Sequence, residues 1–255
     1  MEKDFRFREI INFRDLGGYV TSQGKKVRKG LIYRSGSPSR MIDTELTAVR
    51  SLGLKTILDL RTDREREREP EPAFPGVNII NHSGLIANGA EIDFSPRGMN
   101  QTGEEGKKQL SLLNHYYRHM PYENDAFRLL FEELLEYNVP ILFHCATGKD
   151  RTGVAAILIL LALGLDDDIV LWDYMLSNEY RKHQLKAKLK GNAERIENDP
   201  VLKELLTMRE AVSETIGQQI IHSIRNRFGT YEEFFEKEYG LDEEKLNRLR
   251  EMYLE

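Results

Sequence analysis

The sequence of 255 residues is poor in several features, and each shortage excludes a class of protein. It has one cysteine, so neither an internal disulfide nor a cysteine-based zinc cluster can form. Its formal net charge of -5 lacks the surplus of lysine and arginine that a general nucleic-acid-binding protein requires. The most apolar stretch, Val154 to Leu165, is too short to span a bilayer.

The first residues also lack the apolar core of a signal peptide, because charged and aromatic residues alternate from Met1 to Ile11. We therefore expect a cytoplasmic protein by default, although a chain exported without a signal peptide would have the same features. A monomer is our working expectation, and the sequence does not decide the oligomeric state.

What the sequence does contain is typical of a folded α/β protein. Hydrophobic residues make up 40% of the chain and recur along nearly its whole length. A strand at Leu31 to Tyr33, a helix at Thr44 to Leu52 and a strand at Lys55 to Leu60 follow one another with short connections. This succession predicts a layered α/β fold, with residues 1–255 forming one domain.

Two longer segments have their own patterns. Asn88 to Lys108 is rich in Gly, Asn, Glu and Lys, which predicts a mobile loop. Residues 166–227 have helical periodicity and the length of an inserted cap, which predicts a helical lid. Within that segment, Arg181 to Lys190 is basic, as would suit contact with an anionic membrane, although such a run is more often a solvated helix face.

The strongest local pattern lies between His144 and Gly153. A predicted buried strand, Val139 to Phe143, runs into this segment, and a predicted buried helix continues from Thr152. The free N–H groups and the dipole at a helix N-terminus favour anions, so the residues from Ala146 through Arg151 could cradle a phosphoryl group.

Cys145 stands where the strand ends and this cradle begins. The N–H groups and Arg151 would lower the pKa of its thiol, which would make it a nucleophile at neutral pH. Five intervening residues let the loop wrap once, so that the guanidinium faces the same phosphate oxygens, and Thr152 could donate its hydroxyl to the sulfur. A buried structural thiol is the usual role of a lone cysteine, but the complete pattern favours catalysis.

The segment from His144 to Gly153 resembles the His-Cys-x5-Arg-Ser/Thr signature of the protein tyrosine phosphatase superfamily. Further motifs resemble its bacterial and fungal branch, which includes Listeria and secreted mycobacterial phosphatases: Asn12 to Tyr19, Tyr33 to Ser35, Leu58 to Arg61 and Lys149 to Arg151. The resemblance implies a single phosphatase domain with a central, mostly parallel sheet flanked by helices and a helical lid.

The resemblance also implies an activity and a set of roles. It makes the chain a phosphatase of phosphotyrosine, phosphoserine, phosphothreonine or phosphoinositides that releases inorganic phosphate, with Cys145 as nucleophile and Arg151 as transition-state clamp. His144 would orient the loop and Thr152 would support the sulfur. The cradle would comprise Ala146, Thr147, Gly148, Lys149 and Asp150. No cofactor and no metal are expected.

The proton donor has two candidates, because the sequence has no Trp-Pro-Asp tripeptide, which carries the general acid in many phosphatases of this superfamily. Asp150 inside the cradle is the first, as the resembling branch implies. Asp59, at the end of a predicted strand, is the second, and an ion pair or a loop cap is an equal interpretation of that residue.

Lys149 bears on the substrate. A second cation in the cradle would suit a multiply phosphorylated ligand such as a phosphoinositide, while simple charge balance is the alternative. Phosphoprotein and phosphoinositide substrates therefore both stay open. A different class of function, a module that binds phosphotyrosine or phosphoinositide without cleaving it, is the competing hypothesis for the whole chain.

Overall fold

The computed structural model describes residues 7–85 and 97–255, and these contain a five-stranded sheet. The strands are β1 (Arg14–Asp15), β2 (Ile32–Ser35), β3 (Thr56–Asp59), β4 (Asn78–Asn81) and β5 (Ile141–His144). Their order across the sheet is β1-β2-β5-β3-β4. Only β1 runs antiparallel to its neighbour, so the sheet is mostly parallel, as predicted.

Twelve α-helices surround this sheet in the described part of the chain. The first six are α1 (Asp43–Arg50), α2 (Asp63–Arg68), α3 (Gly103–His119), α4 (Asp125–Leu135), α5 (Arg151–Ala162) and α6 (Asp167–Tyr180). The others are α7 (Lys182–Lys190), α8 (Ala193–Glu197), α9 (Pro200–Glu210), α10 (Glu214–Phe228), α11 (Tyr231–Tyr239) and α12 (Glu243–Tyr253). The predicted α/β fold class is confirmed.

The central strand β5 is buried on both faces, which explains its continuous apolar sequence. Its alternate side chains enter different cores, because successive residues of a strand point to opposite faces. Ile141 and Phe143 join the large core beneath α5 and the C-terminal helices, whereas Leu142 joins a smaller core with Val49 of α1. The sheet is thus covered by a thick helical layer on one side and a thin one on the other.

The carboxyl ends of the parallel strands meet at one edge of the sheet. Ser35 of β2 and Asp59 of β3 both lie in register with His144 of β5. The segment between β5 and α5 leaves from this edge, where open α/β sheets generally bind their ligands. The topology therefore places the His144 to Gly153 motif in the middle of the molecule.

The region predicted as a lid, 166–227, is helical but divides into two parts. Helices α6 and α10 contribute Val170, Tyr174 and Ile220 to the large core. Helices α7 and α8 have no buried residue, and they pack against α9. We call residues 182–210 the cap. Helices α7 and α8 lie outside the main core, and α9, whose Leu205 and Met208 belong to that core, joins them to the rest of the protein.

The loop predicted from Asn88 to Lys108 is partly wrong. Residues 88–96 lie outside the described residues, but α3 already begins at Gly103, and a short helical turn occupies Gly98–Asn100. Glu104 and Glu105 lie in the first turn of α3, where acidic side chains stabilise the helix dipole. Of the helices described, none has both the length and the apolar character needed to cross a membrane.

Candidate active site

The loop between β5 and α5 requires a glycine at position 148, because the backbone turns sharply there and lies close to a neighbouring segment of the chain. Gly148 has a φ of 66°, and a Cβ at this position would lie 2.5 Å from the Gly36 nitrogen. Its carbonyl oxygen accepts hydrogen bonds from Asn12 Nδ2 at 2.5 Å and from Arg34 Nη2 at 3.0 Å. Two donors from outside the loop thereby hold the Gly148 carbonyl on the outer side of the curl.

The backbone N–H groups of this loop remain available. Within residues 7–85 and 97–255, none of the N–H groups from Ala146 through Arg151 donates a hydrogen bond. They end at the first turn of α5, whose dipole adds positive potential. Such an arrangement of unpaired donors binds a tetrahedral oxyanion such as phosphate.

Cys145 lies at the bottom of the loop, with 1% of its surface exposed. Burial raises the pKa of the thiol, but the Arg151 charge and hydrogen bonding from Thr152 outweigh burial and bring the pKa below its ordinary value. The Thr152 hydroxyl is buried and is one of the groups that lower the pKa of the thiol. The site therefore favours a thiolate, the nucleophilic form of cysteine.

Arg151 is fixed by α2. Its Nη1 donates to the Leu60 carbonyl at 3.0 Å, and Nη1 and Nη2 each donate to one oxygen of the Glu65 carboxylate at 2.7 Å. Of the five N–H donors of a guanidinium, this leaves Nε–H and the second Nη2–H, which share one edge of the plane. That edge forms a two-pronged donor for an oxyanion.

Glu65 is suited to this positioning role. Burial raises the pKa of its carboxyl, but Arg151 and the helix start at Thr62 outweigh burial and lower the pKa to about 2. Glu65 and Thr62 form a capping box at the N-terminus of α2. The carboxylate therefore stays ionised and tied to a rigid helix turn.

Lys149 does not place its charge in the cradle, which corrects the sequence interpretation. The side chain is buried, and its ammonium donates to the carbonyls of Met208 and of Ala211, the latter at 3.1 Å. These carbonyls end α9, where the helix dipole attracts a cation. Lys149 thus connects the loop to the cap, and only its backbone N–H is left for an anion.

Asp150 and Asp59 have contrasting surroundings. Asp150 occupies the N-cap position of α5 with a quarter of its side chain exposed, and its carboxylate lies 3.3 Å from Lys149 Nζ. Asp59 is fully buried, and its two oxygens accept hydrogen bonds from the Arg61 guanidinium, the shortest at 2.7 Å. Asp150 is therefore partly accessible from solvent, whereas Asp59 is not.

The charge state of Asp59 leads to the same conclusion. Burial raises the pKa of this carboxyl, but hydrogen bonds from Arg61 and the nearby His144 outweigh burial and hold it below its ordinary value. A buried and ionised carboxylate cannot donate a proton to a substrate. The surroundings of Asp59 favour its alternative interpretation as half of an ion pair.

His144 lies behind the nucleophile in a buried cluster. Its Nε2 contacts the carboxylate of Glu71, and its Nδ1 lies 3.3 Å from the Cys145 carbonyl oxygen. Burial lowers the pKa of His144, but Glu71 and Asp59 outweigh burial and raise it. These three side chains could approach a cation together, but Arg61 already pairs with both carboxylates. We interpret the group as an ion-pair cluster that orients His144.

A second buried cluster supports the outer side of the loop. Asp173 of α6 accepts from Arg14 Nε at 2.8 Å, from Arg34 Nη1 at 2.6 Å and from the Tyr19 hydroxyl at 2.8 Å. Burial raises the pKa of Asp173, but the two arginines outweigh burial and lower the pKa to about 2. The carboxylate thus compensates the buried charge of Arg34, which in turn holds the Gly148 carbonyl.

A sequence model described as the tyrosine phosphatase family matches residues 5–255 of the chain. The chain belongs to the tyrosine phosphatase family. The resemblance predicted from the motifs is therefore confirmed. The family match covers nearly the whole sequence rather than the His144 to Gly153 segment alone.

Curated relatives agree with this assignment. The triple specificity protein phosphatase PtpB of Mycobacterium tuberculosis is 30% identical over 221 residues, 78% of each chain. A Cupriavidus necator protein whose name places it among the tyrosine-protein phosphatases is 32% identical over 176 residues. That alignment covers 69% of this chain and 63% of the relative, so the chain spans just under two thirds of the relative's length.

Solved structures give weaker similarity. TpbA of P. aeruginosa is 14% identical with a TM-score of 0.35, over 80% of this chain and 96% of that one. The core catalytic domain of the S. cerevisiae PP-IP phosphatase SIW14 is 18% identical with a TM-score of 0.34, over 69% and 92% respectively. Scores of this size add nothing to the family assignment.

Sequence reasoning missed three acidic residues that organise the site. Glu65 could have been found, since Thr62 and Glu65 have the spacing of a capping box directly after the Leu58 to Arg61 motif. Glu71 lies in a proline-rich connection with no pattern that points to His144. Asp173 follows the single tryptophan in a predicted helix, and nothing in the sequence points to its role. Its two arginine partners are more than 130 positions away.

We predict that Glu65→Gln weakens binding of orthovanadate, a phosphate analogue, by roughly 10-fold or more, because Arg151 loses a charged partner that fixes its plane. Isothermal titration calorimetry would measure the affinity. Glu67→Gln, an exposed glutamate on the same helix, is the matched control. Equal affinities for the two variants would remove the positioning role assigned to Glu65.

Asp173→Asn should destabilise the fold by about 3–5 kcal/mol at neutral pH, because two buried arginines lose their counter-charge. The folded-state pKa of about 2 lies below the unfolded value of about 3.9, so the contribution is present above pH 4 and is lost as the pH falls toward 2.

Urea unfolding of wild type and variant between pH 7 and pH 2 would test this dependence on pH. Asp168→Asn changes an exposed aspartate of the same helix and serves as the control. A difference in stability that stayed constant down to pH 2 would show that the Asp173 charge does not stabilise the folded state.

Proposed function

We propose that this protein is a phosphatase that hydrolyses phosphomonoesters through a cysteinyl-phosphate intermediate. The observation that carries the proposal is the convergence on one point of three groups: the low-pKa thiol of Cys145, the unpaired N–H groups of the loop and the free edge of Arg151. Together they match what an in-line attack on a phosphoryl group requires.

In the first step the Cys145 thiolate attacks phosphorus, so that an S–P bond forms and the bond to the leaving oxygen breaks. The three non-bridging oxygens carry the negative charge throughout, and they are held by the loop N–H groups and by Nε and Nη2 of Arg151. In the second step water attacks phosphorus, the S–P bond breaks and inorganic phosphate leaves. Donation from Thr152 stabilises the thiolate that is regenerated.

Asp150 is the proposed proton donor for the leaving oxygen. Its carboxyl is partly exposed and belongs to the loop, whereas Asp59 is buried at the end of β3 in an ion pair with Arg61. In the second step the same carboxylate would accept a proton from the attacking water, so that one residue serves both steps.

Phosphotyrosine is the proposed main substrate class. A second phosphate would require a second cation in the cradle, and the ammonium of Lys149 is committed to the end of α9 instead. The name of the mycobacterial relative describes a triple specificity enzyme, so phosphoserine and phosphothreonine belong in the same kinetic panel. Phosphoinositides stay in that panel as the alternative that Lys149 no longer supports.

Contact of the cap with an anionic membrane remains a prediction from the sequence. The lysines of α7 are compatible with it, since Lys186 and Lys190 are exposed and neither forms an ion pair within the described residues. The same arrangement is typical of a solvated helix face.

We predict that Cys145→Ser abolishes hydrolysis of p-nitrophenyl phosphate in the presence of EDTA, because a serine hydroxyl stays protonated at neutral pH in this site. Initial rates would be compared with those of the wild type, with circular dichroism to confirm folding. Turnover by Cys145→Ser at the wild-type rate would exclude the cysteinyl-phosphate mechanism.

The competing binding-module hypothesis has its own outcome in this experiment. The wild-type protein could bind orthovanadate or phosphotyrosine tightly and yet release no phosphate from any substrate. That result would identify it as a module that binds phosphate groups without cleaving them.

Asp150→Asn should lower kcat far more for phenyl phosphate than for p-nitrophenyl phosphate, because only the poorer leaving group depends on a proton donor. We expect a loss of roughly 100-fold or more with the poor leaving group. Asp59→Asn, measured in parallel, should reduce stability without changing this dependence. Equal losses for both substrates in Asp150→Asn would remove the acid role from Asp150.

A further inference from the structure

A second cavity lies beside the proposed catalytic loop, and nothing in the mechanism uses it. It has a volume of about 440 Å³ and lies between the N-terminal segment 7–13 and the junction of α6 with α7. Phe7, Ile11 and Tyr180 give it apolar walls, while His183 and Gln184 of the cap reach its rim. We call it the flanking pocket; its size falls in the range of about 300–1,000 Å³ found for ligand sites.

The flanking pocket shares a wall with the phosphate cradle. Asn12 lines the pocket, and its amide donates to the carbonyl of Gly148 in the loop. Next to it, a Cβ placed on Gly36 would lie 2.9 Å from Cγ1 of Ile11 and 3.2 Å from the carbonyl carbon of Thr147. One glycine therefore separates the pocket wall from the half-buried Thr147 of the loop.

The walls are preformed rather than loosely packed. Phe7 meets Phe13 edge to face at 4.9 Å, and Phe13 stacks on Tyr33 of β2 at 5.6 Å. On the opposite side, the Arg14 guanidinium lies 5.4 Å from the centre of the Tyr180 ring. Both aromatic walls are thus anchored to the sheet or to the buried cluster around Asp173.

The backbone at Asn12 links the pocket to the loop. This residue has a φ of 59°, in the left-handed region that asparagine adopts more readily than most other non-glycine residues. The same conformation joins Ile11 on the pocket side to the amide that holds Gly148.

We infer that the flanking pocket is a substrate subsite that receives an apolar or aromatic side chain of a phosphotyrosine peptide, near the phosphorylated residue. This inference rests on the proposed phosphatase function. The contacts of Asn12 and Ile11 with the loop are the reason for assigning the occupant to the same substrate molecule.

The chemistry of the lining favours a peptide over a lipid acyl chain. Alongside the apolar walls, Arg8, Glu179, His183 and Gln184 present hydrogen-bonding groups at the rim. A peptide backbone can pair with such groups, whereas an acyl chain would strip water from them without replacing their hydrogen bonds.

The test compares small and extended substrates of the same protein. A phenylalanine is moved through three positions on each side of phosphotyrosine in a Gly/Ser peptide, and kcat/KM is divided by that for p-nitrophenyl phosphate. We expect one position to raise this ratio by roughly 10- to 100-fold, the gain from burying one aromatic side chain. The small substrate reports the chemistry of the cradle alone.

Two variants alter the flanking pocket in opposite ways. Gln184→Trp fills it from the rim, and Tyr180→Ala removes a wall. Each has a matched control outside the pocket: Gln218→Trp on an exposed face of α10, and Tyr137→Ala, whose exposure of 38% matches the 39% of Tyr180. Both pocket variants should abolish the gain at the favoured position, and both controls should keep it.

Three outcomes would overturn the inference. The phenylalanine could have no favoured position, the gain could survive in Gln184→Trp and Tyr180→Ala, or it could disappear equally in the controls. A loss confined to long-chain phosphoinositide vesicles, measured against short-chain analogues, would instead assign the pocket to an acyl chain. Failure of the wild type to hydrolyse p-nitrophenyl phosphate would refute the proposed function itself, so the two failures are distinguishable.

Discussion

The hydrogen bond from Arg34 to the carbonyl of Gly148 is the interaction on which the rest of the site depends. It holds a carbonyl on the outer side of the loop and so leaves the neighbouring N–H groups for an anion. Arg34 can occupy a fully buried position only because the Asp173 carboxylate compensates its charge. The proposed affinity of the loop for an oxyanion therefore depends on an ion pair inside the protein, between β2 and α6.

The two cations of the loop, Lys149 and Arg151, have different roles: one is proposed to bind the phosphoryl group and the other holds the loop against α9. Arg151 keeps one edge free because Glu65 and Leu60 occupy the rest of its guanidinium. Lys149, two positions earlier, has no such freedom, since the end of α9 takes its ammonium. The difference between the two cations arises from their neighbours. The first turn of α2 lies beside Arg151, and the last turn of α9 lies beside Lys149.

The flanking pocket would contact the part of the substrate beyond the phosphate. Asn12 belongs to both features, because its amide holds Gly148 while its backbone turns Ile11 toward the pocket. Phosphate alone is common to many substrates, so selectivity has to come from surfaces beyond the cradle. The N-terminal segment and the cap together supply such a surface, and the resemblance motif from Asn12 to Tyr19 begins at its edge.

The sequence by itself determined the chemistry of the loop: a strand, a thiol, five residues with a glycine, an arginine and a helix follow one another in a local pattern that needs no distant partner. It also determined the α/β fold class and, through its motifs, the family. Only the tertiary structure decided which of the candidate side chains are buried in ion pairs and which are accessible. Asp59 and Asp150 are the same residue type near the same edge, yet β3 buries one against Arg61 and α5 exposes the other. Ion pairs across long sequence separations leave no periodic or spacing signal, because burial and charge compensation arise only when the chain has folded.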